Sequence, residues 1–143
     1  MRGVDVNVLV YAHRSDSESH QAFRAWLDDA RQGDEPLGAS DTVLSGFVRV
    51  VTHPKVFADP TPAEHAWAFA EAVRTCPAAV RILPGRRHWG IFRRLCATTE
   101  ARGNQVPDAF LAALAIESNA TWMTADRGFA RYPGLRWAHP LDP

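Results

Sequence analysis

The chain is almost without lysine: Lys55 is the only one among its 16 basic residues, and arginine supplies the rest. It also lacks net charge, because 16 acidic residues balance the basic ones. That neutrality argues against indiscriminate nucleic-acid binding by the whole surface and leaves room for a local basic face. Cysteine is scarce. Cys76 and Cys96 show no CxxC spacing and no paired histidines nearby, which favours buried reduced thiols over a disulfide or a zinc site. The six histidines are scattered without metal-ligand spacing. No apolar run approaches the roughly 20 residues that span a bilayer, and the N-terminus lacks the basic-then-apolar layout of a secretory signal, so a cytoplasmic protein with no membrane partner is expected. Repeats, linkers and low-complexity tracts are absent too.

What the chain does have is apolar content, 46% over 143 residues, enough for the core of one globular domain spanning residues 1–143. Its most informative stretch runs from Gly103 to Phe129, GNQVPDAFLAALAIESNATWMTADRGF. Pro107 suits the first position of a helix, since its missing N–H costs nothing there, and Asp108 then falls in the first turn, where negative charge is favoured. The helix body, Ala109 to Ser118, is apolar on nearly every side and predicts burial, which sets Asp108 at the mouth of the core in need of a charge partner. Asn119 can adopt the left-handed conformation that ends helices, and Ala120 to Thr124 follows as a short buried strand with Asp126 just past its end.

From the start of the chain, Gly3 to Asp5 reads as a strand that runs at once into an apolar segment, Val6 to Ala12, containing Asn7. Asp5 is therefore another strand-end carboxylate. Ser17 can cap a helix through Arg31; Pro36 to Ala39 is a second strand; Ser40 or Asp41 opens a helix to about Thr52, ended by Pro54. Asp41 in that position is more often a cap than a ligand. Thr61 and Pro62 start another helix, Val80 to Leu83 reads as a strand, and Leu135 to Ala138 as a last one. Between them lies a charged helix from about Arg87 to Ala101 with Gly103 as its stop. Two helical turns separate the pairs Arg86, Arg87 and Arg93, Arg94, so they are expected on one arc opposite Ile91, Phe92, Leu95 and Cys96. That arc is either a solvated face or an RNA phosphate-contacting one, for which arginine is well suited.

Alternating helices and short buried strands predict an α/β fold, a three-layer α/β/α sandwich with a small mainly parallel sheet. Ligands bind such sheets outside the carboxyl ends of strands, where Asp5 and Asp126 fall. Each aspartate alone would more often be a cap or a surface charge. Three together without basic partners would repel one another and raise their pKa values unless a divalent cation neutralised them, and hard oxygen ligands favour magnesium or manganese. Such an ion can lower the pKa of a bound water and stabilise charge on a phosphoryl oxygen.

DVNVLVYA at the N-terminus, GFVRVVTHPKVF in the middle and GNQVPDAFLAALAIESNATWMTADRGFARYPGL near the end resemble the PIN-domain ribonuclease toxins of the VapC type, over essentially the full chain. The resemblance implies a small α/β/α sandwich and Mg²⁺- or Mn²⁺-dependent RNA cleavage. It also implies the toxin role in a type II toxin–antitoxin pair, a VapB-type antitoxin partner and a homodimer. It makes Asp5, Asp108 and Asp126 the catalytic, metal-binding acids, with Asn7 and Thr124 supporting them through hydrogen bonds. The antitoxin would cover an apolar groove between the early helices, fed by exposed residues such as Trp26, Phe47, Phe57 and Trp67, and place an arginine against the acids.

Two positions depart from that pattern. Gly46 stands where such proteins commonly carry a glutamate, and Gly128 where many carry a second aspartate. Three acids can still hold one hydrated magnesium, whereas a two-metal arrangement becomes doubtful; Gly46 alternatively serves a close helix contact. A phosphatase forming an aspartyl-phosphate would want an aspartate at position 7, and a receiver domain an acidic pair and a strand-end lysine; Asn7 and the lone Lys55 count against both. The remaining alternative is an acid-depleted module of the same fold that binds RNA or a protein without cleaving.

Overall fold

The computed structural model describes all residues, Met1 to Pro143. Five short strands form one sheet: β1 (Arg2–Val4), β2 (Leu37–Ala39), β3 (Ala79–Arg81), β4 (Thr121–Met123) and β5 (Trp137–Ala138). Their spatial order is β3-β2-β1-β4-β5, and every neighbouring pair is parallel. Between strands run α1 (Val6–His13), α2 (His20–Gln32), α3 (Asp41–Val51), α4 (Ala63–Arg74), α5 (His88–Thr99) and α6 (Gln105–Glu117). From β1 the chain steps outward to β2 and β3 on one side, then returns to β4 and β5 on the other. Right-handed crossovers therefore put α1 to α4 on one face of the sheet and α5 and α6 on the opposite face. The contacts agree: α1 packs on α2 and α3, α3 on α4, and α5 on α6. A cluster of 29 buried residues joins both layers to the sheet. No helix is long and apolar enough to cross a membrane.

Several local expectations shift by a residue or two, each for a visible reason. Asp5 lies outside the strand, as the N-cap of α1, its side chain accepting the Val6 N–H. The second helix begins only at His20, because Ser19 is in the left-handed region (φ 55°). Pro107 is not at the first position of α6, which starts at Gln105; it remains within the first turn, where an N–H has no partner in the helix anyway. Asp108 keeps its place in that turn, and Asn119 does turn left-handed (φ 55°). On α5 the left-handed cap is Glu100 (φ 54°) rather than Gly103, which has the same φ sign three residues later. Cys76 is buried, Cys96 half-buried, and both are free thiols.

Two expected faces change more. Arg87 is only the N-cap of α5, so neither it nor Arg86 shares a helical arc with Arg93 and Arg94. Phe47 is fully buried, stacked near Phe69 at 4.9 Å, and contributes to the core instead of a groove; Trp26 and Phe57 are half-buried, and only Trp67 of that set is exposed.

Candidate functional site

The direction of chain crossing reverses at β1 and β4, so the crevice beyond their carboxyl ends is left uncovered by connecting helices. Asp5 follows β1 directly, and Thr124 and Asp126 follow β4. Parallel pairing of Val4 with Met123 brings these ends side by side, and the Asp5 N–H donates to the Met123 carbonyl at 3.0 Å. The first turn of α6 adds Asp108 from the other layer. All three aspartates line one cleft of about 800 Å³, together with Asn7, Gly46 and a mostly apolar wall that includes Val10, Val50, Phe57, Phe92 and Phe110.

Asp5 is the anchored member. It is buried, its Oδ1 accepts the Val6 N–H at 2.7 Å, and its Oδ2 accepts the Thr124 hydroxyl at 2.6 Å and the Asn7 amide at 3.1 Å. Thr124 and Asn7 are themselves fixed. The Thr124 hydroxyl oxygen accepts from the Asn7 amide at 3.2 Å and from the Asp126 N–H at 3.0 Å, while the Asn7 side-chain oxygen accepts the Ala125 N–H at 3.1 Å. One threonine thus ties the end of β1 to the end of β4. Asp126 caps the following 3-10 turn, Arg127–Arg131, its Oδ1 accepting the Gly128 N–H at 2.8 Å.

Burial dominates the electrostatics. It raises Asp5 to about 6; the hydrogen bonds from Thr124 and Val6 lower it, and the Asp108 and Asp126 charges raise it further. Burial likewise holds half-buried Asp108 above the usual carboxylate range, reinforced by the Asp126 charge and opposed by Arg131. The site is therefore not free of basic neighbours, contrary to the expectation from sequence. Arg131 lies close enough to act on Asp108, and Arg49 of α3 lines the cleft. Neither forms an ion pair with any of the three acids, whose charge stays unneutralised within the chain.

Unneutralised carboxylates in a partly dry cleft fit a hard divalent cation. No three of the acidic, histidine or cysteine side chains stand close enough together to hold an ion between them; a hard cation that keeps several of its waters needs only one or two direct carboxylates. At Gly46 an added Cβ would sit 3.0 Å from Val6 Cγ2, so α3 and α1 approach closely there. At Gly128 it would meet Asp126 Oδ1 at 2.8 Å, so the absent side chain is what lets Asp126 fold onto its cap.

Of the remaining sequence candidates, Asp41 is turned away on a surface ion pair with Arg74 and Arg81. Arg86, Arg87, Arg93 and Arg94 do not line the cleft; Arg87 donates to the Glu117 carbonyl behind it. Sequence reading missed Arg49. Its spacing from Gly46 is one helical turn, the signal that could have placed it on the cleft face.

A family model described as the PIN domain matches residues 4–135. VapC ribonuclease Mb2897 of Mycobacterium bovis is 55% identical over 139 residues, covering 97% of this chain and 95% of its own. Ribonuclease VapC25 of Mycobacterium tuberculosis is 38% identical over 137 residues, 96% of each chain. Among solved structures, VapBC2 from Rickettsia felis, bound to a DNA fragment from its promoter, aligns with TM-score 0.72 at 19% identity over 96% of this chain and 97% of the other. That likeness bears on the fold alone.

Proposed function

This chain belongs to the PIN-domain family, and we propose that it is a divalent-metal-dependent endoribonuclease of the VapC type, the toxin of a toxin–antitoxin pair. The observation that carries the reading is the cleft at the sheet's switch point, where Asp5, Asp108 and Asp126 face one space and none of them is ion-paired. The curated relatives named ribonucleases, similar over nearly the whole length, support it.

Asp5, Asp108 and Asp126 would hold the ion, magnesium or manganese given an all-oxygen ligand set. When bound, it supplies Lewis acidity toward the scissile phosphodiester and a water of lowered pKa. The chain's own contribution is positional. Thr124 and Asn7 fix one edge of the Asp5 carboxylate and Val6 the other, so it cannot rotate away. Asp108 accepts no hydrogen bond from the protein, which leaves both oxygens for ion or water. Asp126 spends one oxygen on Gly128 and keeps the other. Arg49 is placed to meet a phosphate entering the cleft, and the apolar wall limits water, strengthening each charge interaction.

The same apolar wall is the proposed seat of a VapB-type antitoxin, apolar side chains filling the groove and an arginine facing the acids. A homodimer of one 1–143 domain per chain is the proposed assembly, checked by sedimentation at micromolar concentration. The activity is tested by incubating purified protein with single-stranded and structured RNA under magnesium, manganese or EDTA. Cleavage that needs metal and is lost in Asp5→Asn, Asp108→Asn and Asp126→Asn is expected. RNA bound but uncut under every metal would leave a binding module instead.

A further inference from the structure

We infer that the outer face of α5, built by Trp89, Gly90 and Arg93, is a seat for an unpaired RNA base beside the catalytic cleft. The proposal rests on the ribonuclease reading above and names the part of the substrate that it recognises: a single-stranded nucleotide, held by its ring and its phosphate. Trp89 is 70% exposed, more than any other large hydrophobic residue of the chain. Burial by its own fold does not explain it. Its aromatic contact is an edge-to-face one with Phe92 at 5.7 Å, which leaves most of the indole in solvent.

The neighbouring residue is as telling. Gly90 lies inside α5, where glycine weakens a helix, yet an added Cβ would meet nothing within 4 Å. Packing within the chain does not demand it. A bare backbone beside an exposed indole leaves room for something outside to come close. Arg93 stands four residues after Trp89, hence on the same face one turn along, and Arg94 bears the same relation to Gly90. Neither arginine has an acidic partner, and α5 contains no acidic residue.

An aromatic plane next to unpaired guanidinium groups matches a base with its phosphate, the indole for the ring and the cations for the phosphate. Position points the same way. Phe92 lines the cleft and touches Phe110 edge to face at 5.5 Å, and Phe110 belongs to the helix that carries Asp108. A strand whose phosphate sits among the acids can therefore lay a flanking base over Phe92 and onto Trp89. Stacking is open to every base but not to paired ones, so the seat selects unpaired RNA rather than a sequence.

The full-length protein is tested with fluorescently labelled RNA in EDTA, so that binding is read apart from cleavage. Trp89→Ala is expected to weaken a short single strand on the order of tenfold, with Trp89→Phe keeping most of the affinity. An abasic strand and a duplex should bind wild type and Trp89→Ala alike. Arg93→Gln should lower the salt dependence, which Trp89→Ala should leave unchanged. Gly90→Leu, which favours the helix, should keep or raise the thermal midpoint and lose single-strand affinity. Equal single-strand binding by wild type and Trp89→Ala overturns the proposal, as does an equal loss on duplex and abasic strands. A change in sedimentation without a change in RNA binding overturns it in favour of a contact between protein copies. Because metal-dependent cleavage is measured separately, its absence in wild type would sink the ribonuclease reading without deciding this one.

Discussion

Replacing Asp5 by asparagine should shift the stability of the metal-free protein in the variant's favour, relative to wild type, as the pH rises from acid to neutral. Folding lifts this carboxyl from its ordinary 3.8 to about 6, chiefly by taking it out of water. At about 1.4 kcal/mol per pH unit, that difference is worth about 3 kcal/mol between the protonated and ionised forms. The sign follows from proton uptake. Between 3.8 and 6 the folded state holds the proton and the unfolded state has lost it, so the stability this group contributes falls as pH rises through the window and is flat above it. About 2 kcal/mol of the change lies between pH 4.5 and 6. His13, lowered by burial and by nearby Arg14, titrates in the opposite sense, but it is present in both proteins and drops out of their difference. Urea unfolding in EDTA at pH 4.5 and 7.5 measures that difference directly. Asp5→Asn should gain about 2 kcal/mol on wild type between the two, and added magnesium should narrow the gap at pH 7.5 by binding the ionised form. A difference that is the same at both pH values, or that moves toward wild type, refutes the account of Asp5 as a desolvated, repelled carboxylate.

Substituting any of Asp5, Asp108 or Asp126 with asparagine should reduce metal-dependent RNA cleavage by orders of magnitude, whereas Asp41→Asn, which only loosens a surface pair with Arg74 and Arg81, should leave the rate near wild type. Thr124→Val removes the donor to Asp5 and the acceptor for Asn7 and Asp126; a metal titration of cleavage should shift by roughly 10- to 100-fold. Gly46→Glu should lower the metal concentration for half-maximal cleavage only when Val6 yields, so the gain should be larger in the Val6→Ala background, read from the same titration. Inhibition by a cognate antitoxin should weaken when its arginines are replaced, measured as residual cleavage at fixed antitoxin.

Much of the local structure was legible because local physics sets it. An apolar decapeptide opening on Pro107 and Asp108 and closing on Asn119 has few options besides a buried helix with its carboxylate at the rim, and that is what α6 is. The alternation of helices with short apolar strands likewise required a parallel sheet, and three ordered motifs carry the family resemblance in the sequence itself. Boundaries blurred where one residue's backbone state decided them, as Ser19 and Glu100 did by turning left-handed.

Tertiary structure alone decided how the site is held. Thr124 donates to an aspartate 119 positions away only because β1 and β4, distant in sequence, lie side by side in the sheet. Burial of Asp5 arises from the same pairing, and with it the raised pKa that an isolated Asp-x-Asn motif cannot display. Arg49 faces the cleft, Phe47 faces the core, and Arg86 and Arg87 leave the arc of α5, because each orientation depends on which neighbouring element covers the helix and where that helix begins. Spacing along the chain determines which residues share a face; only packing determines whether that face meets solvent, core or the acids.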